Sequence, residues 1–329
     1  MIWLLIFIFS LVVLIKSADW LILSAEKIGL ALGLSSFTVG LIIVSLGTSL
    51  PELASSITAT LKGMTDFAVS NAIGSNIANI LLVIGASAVI GKKLIITKSL
   101  IDLDLPLLTA ATVLLLGIAS DAKIVFLESI LLLSAYLIYV FYTISSKEPS
   151  INKENLNLLP SREIRRRHIF LIERHKNKKL KITLKDIVLL FIGVIGLTLA
   201  SKYLVDSVIN LSKIFNITPG IIAITAVAIG TSLPELFVSI RAVLQKRSEM
   251  ALGNILGSNV FNALVVVGLP GLFTTLELDE KTFSVGLPIM ALATFCFIVS
   301  GISRKIHKWE GGFYLILFLF FIGKIFNLI

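Results

Sequence analysis

The sequence predicts an all-α integral membrane protein of ten transmembrane helices, arranged as two inverted five-helix repeats. Three observations predict it. The 329 residues are 56% hydrophobic and only 15% charged, with a mean hydropathy of +0.98, whereas a soluble domain carries roughly a quarter charged residues. The heptapeptide Gly47-Thr48-Ser49-Leu50-Pro51-Glu52-Leu53 recurs letter for letter as Gly230-Thr231-Ser232-Leu233-Pro234-Glu235-Leu236. Basic residues gather in alternate loops, as they do in multi-pass membrane proteins.

A helix needs about 20 mostly apolar residues to cross the hydrocarbon core. That rule places spans at 2–32, 36–61, 67–91, 99–119, 123–144, 184–215, 218–244, 249–274, 281–302 and 309–328. The first and sixth hold about 30 residues, rise about 45 Å and are expected to tilt. The chain is apolar from Ile2 and lacks a basic leader or a small-residue cleavage site, so it reads as a first span and not as a removed signal peptide. Lys92, Lys93 and Lys98 fall between spans 3 and 4, Arg241 to Arg247 near the junction of spans 7 and 8, and Arg304, Lys305 and Lys308 between spans 9 and 10. The opposite loops carry Asp66, Asp121, Glu277, Asp279 and Glu280. The positive-inside rule then makes the central loop cytoplasmic and both termini external, in a plasma membrane.

The net charge of +9 comes almost wholly from one place. Residues 147–185 hold 12 Lys+Arg and 4 Asp+Glu, a balance of +8. Beside membrane spans this is a topology signal, with anionic lipid as a secondary contact, and not a nucleic-acid footprint. The chain therefore divides into a first repeat at 1–144, a basic cytoplasmic loop at 145–183 and a second repeat at 184–329.

A second string follows each heptapeptide: Gly74-Ser75-Asn76-Ile77-Ala78-Asn79, then Gly257-Ser258-Asn259-Val260-Phe261-Asn262. Both strings recur at an offset of 183 (235 minus 52; 262 minus 79), and 20 of 39 positions are identical between 47–85 and 230–268. This is an internal duplication. Five spans per copy is an odd number, so the second copy is inverted, which is how transporters place a binding site at the midplane between repeats.

Glu52 and Glu235 fall near the middle of their spans, where an ionised carboxylate costs several kcal/mol unless matched; the default reading is a functional site facing the bundle interior. Pro51 and Pro234 each remove an amide donor and free a carbonyl one turn earlier, near Gly47 and Gly230. Thr48 and Glu52 are four apart, as are Thr231 and Glu235, so hydroxyl and carboxylate share a helix face. Ser75 and Asn79, like Ser258 and Asn262, repeat that spacing on the next span. The set offers only oxygen, which suits Ca²⁺ or Na⁺ and not zinc or copper. The single cysteine, Cys296, allows no internal disulfide. Two ionised glutamates give −2, which one Ca²⁺ neutralises; three Na⁺ leave +1 and two protons leave zero. A site stable only when filled by one set or the other suits exchange. Elsewhere, Lys16 and Asp19 are spaced to pair along the first span, and Glu128 has no obvious partner.

The paired GTSLPE and GSNxxN strings resemble the two alpha repeats of the sodium/calcium exchanger family, within the cation/calcium exchanger superfamily, and the size resembles its compact prokaryotic type. The likeness covers nearly the whole chain. It implies a Ca²⁺/Na⁺ antiporter working by alternating access, with a cation site among spans 2, 3, 7 and 8. Glu52 and Glu235 would be the principal calcium ligands, shared with sodium. Thr48, Ser49, Ser75, Thr231, Ser232 and Ser258 would line sodium or calcium subsites, with backbone carbonyls near Ser45 and Ala228. Asn79 and Asn262 would complete the centre. Some relatives carry Asp where this chain has Asn262, and the amide implies a site of charge −2 without potassium co-transport. Spans 1 and 6 would slide to alternate access. No organic cofactor is implied, and a monomer suffices because one chain completes the site. An H⁺/Ca²⁺ antiporter, a cation channel and an intramembrane carboxylate protease are the alternatives.

Overall fold

Long aliphatic runs in a medium without water leave the backbone to satisfy itself, and the chain does so as helices. The computed structural model describes residues 2–96, 104–145, 182–214 and 230–328. In chain order these form α1 (Ile2–Ala31), α2 (Ser36–Leu61), α3 (Phe67–Gly91), β1 (Lys93–Ile95), α4 (Leu105–Asp121), β2 (Lys123–Ile124) and α5 (Phe126–Ser145). There follow α6 (Leu184–Ile214), α7 (Leu233–Leu244), α8 (Ser248–Gly271), β3 (Leu276–Glu277), α9 (Thr282–Ile302), β4 (Lys305–His307) and α10 (Lys308–Ile325). By length and composition, α1, α2, α3, α5, α6, α8 and α9 can each cross a membrane, so the chain is a multi-pass membrane protein. Most of the basic loop and the first parts of the expected spans at 99–119 and 218–244 lie outside the described residues.

Burial ranks the helices. The most apolar stretch of α8 is 100% buried and that of α3 is 72% buried, against 22% for α1 and 28% for α6. The two helices that carry the GSNxxN strings therefore form the centre, while α1 and α6 lie outside, packed chiefly on each other. Small residues let them close: Gly193 backs onto the Ser17 carbonyl and the Leu21 amide, and Gly196 onto the Ser17 side chain. At the centre α8 crosses α2 through Gly253 and Gly257, four apart on one face, which lie against the carbonyls of Phe37 and Leu41. Gly40 of α2 answers against the Met250 carbonyl. Without a hydrophobic drive between helices in lipid, such close approach of backbones holds a bundle together.

Two short antiparallel ladders tie helix ends. Lys93 pairs with His307 and Leu94 with Ile306 in β1–β4; Lys123 pairs with Glu277 and Ile124 with Leu276 in β2–β3. The offset of 183 converts one ladder into the other: Lys93↔His307 maps onto Leu276↔Ile124, and Leu94↔Ile306 onto Glu277↔Lys123. Position i of the first copy thus meets position j of the second, and j of the first meets i of the second.

Asp19 does not pair with Lys16. Its carboxylate accepts two bonds from Arg241 Nη2, both 2.7 Å, one from Nε at 2.9 Å and one from Gln245 at 2.7 Å. A bidentate guanidinium from a packed neighbour outcompetes a flexible lysine on the same helix. Glu128, which sequence spacing leaves without a partner, accepts from the Val125 amide at 2.8 Å and so caps α5.

Asp279 caps α9. Its carboxylate accepts from the Thr282 amide at 3.0 Å, the Lys281 amide at 3.0 Å, the Ser70 hydroxyl at 2.8 Å and the Thr282 hydroxyl. Partial burial raises its pKa, but the bonds from Thr282, Ser70 and Lys281 outweigh burial and hold it below the usual carboxylate value. A depressed folded pKa contributes stability that is fully present above the unfolded value and lost as pH falls through the folded one. Asp279→Asn is expected to lower stability at neutral pH by about 1 kcal/mol, the worth of a helix cap. It should also flatten the acid limb of a melting-temperature profile in detergent; an unchanged acid limb would count against the cap.

Candidate functional site

The heptapeptides bring their acids to the interior on helices that differ locally. In the first copy α2 runs unbroken through Pro51, which deletes one helical bond and leaves the Gly47 carbonyl without its donor. In the second copy a turn at Thr231–Ser232 precedes α7, and Pro234 stands in the helix's first turn, where no amide is missed. Glu52 and Glu235 are each 0% exposed. Ser49 donates to Glu235 Oε1 at 3.0 Å, which links the first motif directly to the second acid.

The hydroxyls meet in reciprocal pairs. Thr48 and Ser258 stand 3.4 Å apart, and their counterparts at the 183 offset, Thr231 and Ser75, 3.3 Å. Thr48 also reaches the Ser45 carbonyl at 3.2 Å, and Ser45 donates its own hydroxyl to the Leu41 carbonyl. Asn79 and Asn262 lie on π-helical turns, Ala78–Ile84 and Asn262–Val266. The wider turn displaces backbone carbonyls from regular bonding, a feature frequent at functional sites. Ala228 lies outside the described residues.

Thus Glu52, Glu235, Thr48, Ser49, Ser75, Thr231, Ser232, Ser258, Asn79 and Asn262 are all placed on α2, α3, α7 and α8 or the turn before α7, and contacts join the two copies. Several of their polar atoms are buried with no hydrogen-bond partner among the described residues: both Glu52 oxygens, Glu235 Oε2, the Ser232 hydroxyl, and both side-chain atoms of Asn79 and of Asn262. Each buried polar group left unpaired costs about 1–3 kcal/mol, and more when charged. Unsatisfied buried oxygens are the donor type that hard cations take.

Sequence reasoning missed a supporting layer. Thr48 donates to Asn254 Oδ1 at 3.1 Å, and Asn254 donates to Ser239 at 3.1 Å. In the other copy Asn71 donates to Ser56 at 3.2 Å. Asn76 reaches across to the Asn259 carbonyl at 3.1 Å. The signal was present: Asn71 and Asn254, like Ser56 and Ser239, are identities at the 183 offset, and each Asn lies one turn before the serine of its GSNxxN string. Asn254 thereby holds the Thr48 hydroxyl of the first motif from the second copy.

Comparison with known proteins identifies the family. The family described as sodium/calcium exchanger protein matches residues 2–145 and 185–326. The sodium/calcium exchanger MaX1 of Methanosarcina acetivorans is 30% identical over 347 aligned residues, covering 97% of this chain and 96% of that protein. The inner membrane protein YrbG of Escherichia coli is 30% identical over 297 residues, 88% of this chain and 86% of its own. Among solved structures, the sodium-calcium exchanger NCX_Mj soaked with 10 mM Na⁺ and 10 mM Sr²⁺ superposes with a TM-score of 0.79 at 27% identity, over 98% of this chain and 97% of that one.

Proposed function

We propose that this chain, which belongs to the sodium/calcium exchanger protein family, is a secondary antiporter that moves Ca²⁺ against Na⁺ by alternating access. The family is one of membrane exchangers and not of catalytic enzymes, and a cation/Ca²⁺ exchanger is what membership establishes. Sodium as the coupling ion, a midplane site and alternating access are our reading. The observation that carries it is the pair of fully buried glutamates whose oxygens, apart from the one bonded by Ser49, have no partner among the described residues.

Charge decides the stoichiometric logic. Two carboxylates at −2 are matched by one Ca²⁺, or nearly so by two to three Na⁺, while the bare site leaves buried charge unmatched. An exchanger crosses between states only when loaded, and that penalty supplies the coupling. Glu52 and Glu235 bind both ions; Thr48, Ser49, Ser75, Thr231, Ser232 and Ser258 supply neutral oxygens; Asn79 and Asn262 close the centre without adding charge. Carbonyls near Ser45 and Ala228 complete the set.

Two further points of architecture belong to this reading. The reciprocal ladders and hydroxyl pairs support a two-fold relation between residues 1–144 and 184–329, whose axis lies in the membrane plane when each repeat has five spans. The basic loop 145–183 then lies in the cytoplasm and both termini outside. The lightly buried α1 and α6, joined through glycine and serine, move as one unit across the remaining helices.

The test is calcium uptake into proteoliposomes preloaded with Na⁺, without K⁺ and with equal pH on both sides. Uptake that disappears when internal Na⁺ is replaced by choline establishes sodium coupling. Uptake only under an imposed pH gradient assigns the chain to proton-coupled exchange, and flux that persists without any counter-ion makes it a channel.

A further inference from the structure

The geometry points to Asp19, Glu26, Arg241, Gln245 and Arg247 as the residues that set the balance between the two access states. They latch α1 to the α7–α8 turn and hold the cytoplasmic side closed; the inference rests on the alternating-access reading. The latch is built from charge. Arg241 grips Asp19 with two bonds of 2.7 Å from Nη2 and one of 2.9 Å from Nε; Gln245 adds a fourth at 2.7 Å. One turn beyond the α7 end, Arg247 pairs with Glu26 at 2.5 Å and donates to Gln245 Oε1 at 2.8 Å. All five side chains are partly buried, the Asp19 and Arg241 side chains being 19% and 29% exposed, so water and salt weaken these bonds less than at a free surface.

Symmetry separates contacts that bias the two access states from contacts that do not. In an inverted-repeat antiporter the two access states are interchanged by the pseudo-two-fold axis. An interaction that has an image in the other repeat is made in both states, on one side or the other, and favours neither. Only an interaction without an image can shift the equilibrium, because a state is favoured solely by contacts that differ between the two. The reciprocal pairs Thr48–Ser258 and Ser75–Thr231 are of the first kind. The latch is of the second. At the 183 offset, Asp19 and Glu26 map to Lys202 and Ile209, while Arg241, Gln245 and Arg247 map to Thr58, Lys62 and Met64. The image therefore has no acid to grip and no guanidinium to grip it. The pair Lys27–Asp186, 2.7 Å, joins α1 to α6, which move together, so it does not enter the balance.

The latch lies at the end of α7 and start of α8 where the basic residues cluster, the cytoplasmic end in our reading. It therefore favours the outward-open state and lowers the apparent affinity for Ca²⁺ offered from the cytoplasm. Two readouts test this on the full chain. In proteoliposomes of defined orientation, Arg241→Gln and Asp19→Asn are expected to lower the cytoplasmic-face KM for Ca²⁺ about tenfold while raising the external-face KM, and Asp19→Arg with Arg241→Asp to restore both. A loss of rate with both KM values unchanged, or moved in the same direction, would overturn the latch.

The second readout needs no transport. Spin labels at Leu23 and Leu244, both more than half exposed at 52% and 56%, report the distance between α1 and the end of α7 once Cys296 is replaced by Ala. Arg241→Gln is expected to move part of that distribution to a second distance, and the charge swap to return it. A distribution identical to the parent refutes the latch. A shift in Arg241→Gln together with a wild type that shows no sodium-driven uptake refutes the coupling-ion reading instead.

Discussion

Glu52→Gln is expected to abolish calcium uptake while making the cation-free protein more stable. Both effects have one cause. A unit charge about 4 Å from another interacts by about 4 kcal/mol at an effective dielectric of about 20, and by about twice that when one partner is divalent. Replacing one of two acids by an amide thus removes affinity by more than about a thousandfold, and uptake falls below detection. The same change removes a fully buried carboxylate whose two oxygens have no hydrogen-bond partner among the described residues, so the cation-free variant melts higher than wild type. Added Ca²⁺ raises the melting temperature of wild type through binding linkage and leaves the variant unmoved. Glu235→Gln is expected to lose uptake too, with a smaller gain in stability, because its oxygen already accepts from Ser49. Glu277→Gln, on the β3 ladder, is the control and transports as wild type. Residual uptake above a tenth of wild type in Glu52→Gln would remove this acid from the site.

Gly257→Val is the second large effect. A Cβ at Gly257 overlaps the Leu41 carbonyl and comes within 2.8 Å of Ser45 Cβ. Backbone cannot turn aside as a rotamer can, so α8 must retreat from α2. The expected cost exceeds about 3 kcal/mol, read as a melting temperature about 10 °C lower in detergent. Uptake falls as well, since the retreat separates Thr48 from Ser258 across the same crossing. At Gly312 a Cβ meets nothing within 4 Å, and Gly312→Ala is expected to leave both readouts unchanged. A Gly257→Val protein as stable as wild type would show that the α2–α8 crossing is looser than its geometry.

The sequence by itself determined the class of protein, the existence of two repeats and the residue types of the candidate site. Each of these depends on local or periodic information. An apolar run needs only its own length to declare a span, and a duplication declares itself by identity at a constant offset. Two acids in the middle of such runs are too costly to be incidental, so Glu52 and Glu235 stand out in the sequence.

What only the tertiary structure decided are the partnerships between distant positions. Spacing offered Lys16 to Asp19; packing gave it Arg241, 222 residues away, because the α1–α7 contact presents a rigid fork that no helix rule foresees. Glycine content did not reveal that Gly253 and Gly257 meet the α2 backbone. Nor did the heptapeptide reveal that its two copies fold differently around Pro51 and Pro234. The asparagines behind the hydroxyls were visible as repeated letters, but their function is a matter of which atom each faces. A hydrogen bond between repeats depends on distance and direction, and a sequence carries neither until the helices have packed.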